Sequence, residues 1–207
     1  MLSLLLPPSC GACGRLGPAP CADCWRALEP APPMAAVDGL DRCRALLRYE
    51  GPARDLLLGL KYRNSRSTVA WLAAGMSGLA ASPGSSFATV TWAPTTAARR
   101  RRRGFDQAEV LARAVGRRLG VPVRRLLVRL PGPAQTGSSR LDRAAGPVFV
   151  VRGPVAGKRL LLVDDVVTTG ATLAAAGASL TRAGAAGVEA VVAGCTPLKV
   201  PSPAADA

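Results

Sequence analysis

Two adjacent acids, Asp164 and Asp165, stand three positions before the run Thr168-Thr169-Gly170-Ala171-Thr172. Carboxylates accept hydrogen bonds from sugar hydroxyls, and threonine hydroxyls with backbone N–H groups around a glycine donate to phosphate oxygens. The apolar stretch Leu160–Val163 reads as a strand buried on both faces, and an alanine-rich helical pattern begins near Ala171. The acids then fall at the strand's carboxyl end, where open α/β sheets keep their ligand crevices. The Thr/Gly turn falls at a helix N-terminus, whose unpaired amides hold anions. A ribose phosphate suits both halves. An ordinary βα turn needs one polar cap; this one carries five polar side chains, Asp164, Asp165, Thr168, Thr169 and Thr172.

A second cluster lies near the start of the chain: Cys10-Gly-Ala-Cys13, seven residues, then Cys21-Ala-Asp-Cys24. Paired C-x-x-C elements put two thiolates on each of two tight turns, which suits tetrahedral zinc. Disulfides and redox-active or unoccupied thiols are the competing readings, the former disfavoured in a reducing compartment. Four thiolates leave a metal no open position, so such a site is structural.

The third feature is charge. The 207-residue chain carries a net +14, and eleven arginines lie between Arg99 and Arg129 against Asp106 and Glu109. Such a surface attracts nucleic acid or a pyrophosphate-bearing ligand, although a general arginine bias in the coding sequence would give a similar count. The run Arg99, Arg100, Arg101, Arg102, Arg103 reads either as a solvated, disordered segment or as a split one. In the split reading one or two guanidiniums face a pyrophosphate and the others meet phosphodiesters. Trp25, Trp71 and Trp92 read as base-stacking residues or, more simply, as core. No histidine is present, so any general base is a carboxylate: Asp165 first, Asp106 and Asp142 after it.

These residues need elements to hold them. The pattern predicts strands at Cys43–Tyr49, Ala88–Trp92, Val148–Val151, Leu160–Val163 and Gly187–Val192. It predicts helices at Gly51–Tyr62, with Leu56, Leu57 and Leu60 inward, at Arg66–Ala81, at Gln107–Leu119 and from Ala171. Alternating strands and helices argue for an α/β fold with a mainly parallel, doubly wound sheet. Residues 129–147, rich in Pro, Gly, Ser and Arg, read as a long loop of the kind that forms lids. No apolar run is long enough to span a membrane, and Met1–Leu6 lacks the basic flank of a signal peptide. The expected location is the cytoplasm.

The strand, the two acids and the TTG turn of LLLVDDVVTTGATL resemble the phosphoribosyl-pyrophosphate signature of type I phosphoribosyltransferases. The double C-x-x-C, Leu60-Lys61-Tyr62, Arg103-Gly104-Phe105-Asp106-Gln107-Ala108 and the Gln/Arg loop precede it in the order seen in the ComF-like family. Those amidophosphoribosyltransferase-like proteins are associated with DNA uptake in natural competence. This resemblance, from about residue 5 to residue 195, implies a type I phosphoribosyltransferase fold (a mainly parallel sheet flanked by helices) behind a small zinc knuckle. The implied units are a knuckle over 1–30, a phosphoribosyltransferase-like domain over 34–196 and a flexible tail over 197–207.

Carried over by position, Asp164 and Asp165 would meet the ribose hydroxyls as the catalytic pair, and Thr168, Thr169, Gly170, Ala171 and Thr172 would hold the 5′-phosphate. The loop after Trp92, with Pro94, Arg103 and Gly104, would be the pyrophosphate loop. Gln135, Ser138 and Arg140 would lie on the flexible loop that closes over the site. Cys10, Cys13, Cys21 and Cys24 would bind structural Zn²⁺, Mg²⁺ would accompany phosphoribosyl pyrophosphate, and Arg99–Arg102 would meet single-stranded DNA. DNA-uptake machinery and further copies of the chain are the other partners implied. The chain departs from the family at Ala93-Pro94-Thr95, usually Pro-Val-Pro, and at Asp106, usually Asn. The Asn of an Arg–Asn pair near Ala144–Pro147 is missing. Three functions stay open: a Mg²⁺-dependent phosphoribosyltransferase, a phosphoribosyl-pyrophosphate-sensing DNA-binding module, and a regulator of nucleotide metabolism without a DNA role.

Overall fold

The structure, a computed structural model, describes residues 9–63, 66–81, 86–131 and 146–197. The chain opens with a short helix α1 (Ala22–Arg26), then β1 (Arg42–Arg48), α2 (Gly51–Arg63), α3 (Arg66–Ala80) and β2 (Thr89–Trp92). There follow α4 (Ala97–Arg103), α5 (Gln107–Leu119), β3 (Leu127–Arg129), β4 (Phe149–Val151), β5 (Arg159–Val167), α6 (Ala171–Arg182) and β6 (Gly187–Cys195). Among the described residues no helix is long and apolar enough to cross a membrane.

Four strands form one parallel sheet in the order β1-β6-β5-β2. The period-2 pattern sorts its side chains between two cores. Leu161 and Val163 of β5 and Val191 of β6 pack with Leu57, Leu72, Met76, Leu111 and Val115 from α2, α3 and α5. Leu160, Leu162, Ala190 and Val192 point the other way, against Leu173, Ala176 and Leu180 of α6 and the antiparallel ribbon β3–β4. Helices thus cover both faces, as an all-parallel sheet requires. Both cores are built mainly of Leu, Val and Ala.

At the opposite end of the sheet Glu189 is buried at 4% exposure. Arg44 at 3.3 Å on one side and Arg159 at 3.1 Å on the other neutralise it. This cross-strand pairing ties β1, β6 and β5 at their amino ends, far from the carboxyl-end crevice.

Several expectations need correction. β5 does not stop at Val163 but continues to Val167, so Asp164 and Asp165 lie inside the strand. β6 likewise runs on to Cys195 rather than Val192. The five arginines form a helix rather than a disordered segment, and the start of the expected long loop is strand β3. Gln135, Ser138 and Arg140 lie outside the described residues, as does nearly all of the expected tail.

Candidate functional site

The connection after β2 passes to α5 on one face of the sheet, and that after β5 passes to α6 on the other. β2 and β5 are neighbours, so the chain leaves the sheet in opposite directions there and opens a crevice at their carboxyl ends. A cleft of about 310 Å³ occupies that position. Ala93, Pro94 and Thr95 follow β2 along one wall, and Asp164, Asp165 and Val166 of β5 form another.

Adjacent residues of a regular strand point to opposite faces, yet both acids line the cleft. The alternation shifts there: Val166 packs with the Leu161 core and Val167 with the Leu160 core. Asp164 Oδ1 accepts the N–H of Asp165 at 2.8 Å, and Asp165 Oδ1 accepts the N–H of Val166 at 2.8 Å. Burial, reinforced by the charge of Asp165, pushes the Asp164 carboxyl well above the usual carboxylate range. One acid of the pair is thereby disposed to hold a proton. Tyr49, just beyond β1, also faces the cleft, and burial raises its phenol.

The Thr/Gly turn closes the cleft beneath the acids. Thr168 and Thr172 line it, while Thr169, Gly170 and Ala171 join them and Asp164 around a small adjoining recess. Gly170 caps α6 in the left-handed conformation (φ 79°), which favours glycine, and its lack of a side chain leaves the first-turn amides without a side-chain cap. Ala171 N–H meets Thr169 Oγ1 at a long 3.4 Å. Amides so disposed suit a phosphate.

The facing wall is cationic. Thr96 caps α4 by accepting the N–H of Arg99 at 3.3 Å. Helical spacing then sets Arg99 and Arg103 four positions apart on the side that lines the cleft. Arg100 approaches Glu109 at 4.0 Å. Arg101 and Arg102 are exposed and outside the lining. Gly104, also outside it, ends α4 at φ 78°. Asp106 is buried; it accepts the N–H of Thr95 at 2.9 Å and of Ala108 at 3.1 Å, capping α5. Its carboxyl is raised by burial, against the pull of those N–H groups.

Sequence reasoning missed three lining residues: Tyr49, Gln107 and Arg129. Arg129 ends β3 rather than lying in the expected loop, and burial together with Arg99 lowers its guanidinium pKa. Gln107 sits in the quoted Arg103–Ala108 motif, which was the available signal. A larger, more apolar cleft of about 440 Å³ lies across the Thr168–Gly170 turn, flanked by Pro32–Val37 and Thr196.

The four N-terminal sulfurs all lie within 4.8 Å of one another, with Cys13 and Cys21 Sγ 3.7 Å apart. A tetrahedral zinc with sulfurs at about 2.3 Å spaces them by roughly 3.8 Å, so the donor set fits that ion. All four are free thiols, far beyond disulfide bonding distance. Burial would raise the Cys10 thiol, but the backbone N–H groups of Cys13, Cys21 and Ala12 outweigh it and bring its pKa to about 6. The knuckle rests on the helices: a Cβ on Gly59 of α2 would fall 2.6 Å from the Gly11 carbonyl oxygen, and Trp25 meets Trp71 edge-on at 5.4 Å.

A parallel sheet covered by helices on both faces, with paired acids and a Thr/Gly turn at its switch point, defines an α/β protein with a ligand crevice at the carboxyl end of its sheet. Residues 105–199 match the family described as Phosphoribosyl transferase domain. An adenine phosphoribosyltransferase of Frankia casuarinae is 43% identical over 86 residues, covering 40% of this chain and 43% of that protein. Among solved structures, a glutamine phosphoribosylpyrophosphate amidotransferase from B. subtilis complexed with ADP and GMP aligns at TM-score 0.43 and 20% identity, over 61% of this chain and 26% of its own. A purine phosphoribosyltransferase from Pyrococcus horikoshii aligns at TM-score 0.37 and 16% identity, over 62% of this chain and 79% of its own. The chain spans less than half the length of the curated relative it matches.

Proposed function

We propose that this protein binds phosphoribosyl pyrophosphate in the cleft between β2 and β5. The carrying observation is that paired carboxylates, Thr168 and Thr172 of the Thr/Gly turn and two guanidiniums from α4 line one cleft, with the N-terminus of α6 at an adjoining recess. In this reading Asp164 and Asp165 hold the ribose hydroxyls, Thr168–Thr172 hold the 5′-phosphate, and Arg99 and Arg103 hold the pyrophosphate. Mg²⁺ would screen the pyrophosphate and ribose oxygens at the carboxylate wall, keeping most of its own waters. If transfer occurs, a nitrogen nucleophile displaces pyrophosphate from C1, and the guanidiniums stabilise the charge growing on the leaving group.

The unit boundaries follow the same reading: a zinc knuckle over 1–30, the phosphoribosyltransferase-like domain over 34–196 and a tail over 197–207. The ComF-like resemblance extends it to a cytoplasmic role in DNA uptake. Exposed Arg101 and Arg102, with Arg100 beside them, support a single-stranded DNA contact outside the cleft. A Mg²⁺-dependent phosphoribosyltransferase of nucleotide metabolism is the alternative, favoured by the similarity of residues 105–199 to that domain family.

The test is titration with phosphoribosyl pyrophosphate, with and without Mg²⁺, on the wild type and the Asp164→Ala, Asp165→Ala double variant. Saturable binding lost in the variant supports the reading; binding that survives unchanged removes it. Pyrophosphate release across a panel of nucleobases and amines then separates enzyme from sensor. For DNA, replacing Arg100, Arg101 and Arg102 with Gln should reduce both affinity and its salt dependence.

A further inference from the structure

Gln107 is the first residue of α5, and its side chain lines the cleft although the residue is only 4% exposed. Its two polar atoms have different fates. Oε1 accepts from Arg103 Nη1 at 2.9 Å, which fixes the carboxamide's orientation. Among the described residues Nε2, a donor, is buried without a hydrogen-bond partner, and so is Arg103 Nε. A buried donor left unpaired is costly, and native proteins keep such groups where something else completes them.

The surroundings say what that something is. Arg99, Arg103 and Arg129 reach the cleft from α4 and β3. Among the described residues none of the three forms a salt bridge. Burial and then the charge of Arg99 lower the Arg129 pKa, against the pull of Asp164. Asp106, next to Gln107 in the sequence, is occupied by the N–H groups of Thr95 and Ala108. Converging donors that outnumber the acceptors among them match a ligand that is rich in oxygen and highly charged. A water molecule would satisfy Nε2 but would not neutralise three guanidiniums that form no salt bridge among the described residues.

We infer that Gln107 is a ligand-contacting residue whose Nε2 donates, beside Arg103 and Arg129, to an oxygen of the diphosphate end of the bound molecule. This rests on the phosphoribosyl-pyrophosphate reading of the cleft and adds to it a specificity-determining amide. Gln107 has two jobs at once: Oε1 aims the Arg103 guanidinium, and Nε2 recognises the oxyanion. Being neutral, it adds a directional donor without adding repulsion to the arginine cluster.

The experiment uses the full chain, inorganic pyrophosphate with Mg²⁺, and ribose 5-phosphate. Gln107→Met keeps the length of the side chain and removes both polar atoms. Pyrophosphate affinity should fall roughly tenfold, as for one lost hydrogen bond to a charged group, while ribose 5-phosphate affinity stays within about twofold. Gln107→Glu should weaken pyrophosphate further, because a carboxylate repels the ligand and engages Arg103. The wild type supplies a measurement that needs no variant. The chain holds two glutamines, Gln107 and Gln135, so ¹⁵N-glutamine labelling gives two side-chain amide signals.

The Gln107 signal, assigned by its loss in Gln107→Met, or by elimination with Gln135→Met should the first variant not fold, should move with pyrophosphate and not with ribose 5-phosphate. An unmoved signal, or equal weakening of both ligands, overturns the inference. Binding of ribose 5-phosphate without pyrophosphate also overturns it and leaves the ribose-phosphate reading of the acids and cradle standing. Pyrophosphate binding through Gln107 without ribose 5-phosphate binding upholds the inference and sinks that reading. Binding of neither ligand removes both.

Discussion

The Asp106 carboxylate accepts the backbone N–H of Thr95 at 2.9 Å, across eleven positions of chain, while also capping α5 through the N–H of Ala108 at 3.1 Å. One buried acid thus joins the loop after β2 to the helix that follows α4, and the cationic wall is suspended between those two points. The two bonds go to different oxygens, Oδ2 for Thr95 and Oδ1 for Ala108, so a carboxylate accepts both where an asparagine would keep one and turn an NH2 donor toward the other N–H.

Asp106→Asn should therefore keep one of the two bonds and cost less than Asp106→Ala, because it also removes a charge whose burial is unfavourable. Asp106→Ala should cost about 1–2 kcal/mol through loss of the cap and weaken pyrophosphate binding by loosening Thr95. Chemical denaturation of both variants checks the pair. Equal destabilisation by Asn and Ala would refute the acceptor role.

Asp164 sets function against stability. Its carboxyl is raised in the folded protein, so as pH climbs above the carboxylate range, about 4, the unfolded chain releases its proton first. Folding stability falls until the raised folded pKa is passed and is then level. Asp164→Asn removes that fall. It should raise the melting temperature at pH 7 by roughly 2–4 °C, for about 1 kcal/mol, with little effect at pH 4. Affinity for ribose 5-phosphate should drop about tenfold or more. Calorimetry at the two pH values, with a ligand titration, reads both effects; a variant less stable at pH 7 would contradict the first.

Purified protein should carry roughly one equivalent of zinc per chain, given four thiolates at tetrahedral spacing. Stripping it with a chelator should first disturb the emission of Trp25 and Trp71, which meet where the knuckle rests on α3. Elemental analysis and fluorescence are the readouts, and an unchanged spectrum after metal loss would separate the metal from knuckle docking.

Gly59→Ala tests the same contact from the other side. Alanine in a helix interior ordinarily gains about 1 kcal/mol over glycine. Here the new Cβ would lie 2.6 Å from the Gly11 carbonyl oxygen, and backbone cannot give way as a side-chain tip can. The expected sign is reversed, a loss of about 1–3 kcal/mol. Thermal melting decides it.

Much of the scaffold was legible because its signals are local. The helix Gln107–Leu119 has the predicted bounds: Asp106 caps one end, left-handed Gly120 ends the other, and Leu111 and Val115 repeat at helical spacing. Leu56, Leu57 and Leu60 are buried as expected. The arginine run misled because five like charges in a row suggest solvation. The Thr96 cap and the Gly104 stop nevertheless define a helix that spreads those charges around its axis.

Residue order alone carries the two acids, the Thr/Gly turn and the cysteine spacing, since each is a contiguous pattern whose chemistry needs only its immediate neighbours. That Asp164 and Asp165 share one cleft, that Arg99 and Arg103 face it while Arg101 and Arg102 do not, and that Tyr49, Gln107 and Arg129 join them depend on packing. These residues come from the end of β1 and from β3, α4, α5 and β5, which parallel crossovers and a second ribbon bring together. No periodicity along the chain encodes that convergence, because it is set by which hydrophobic faces bury against one another.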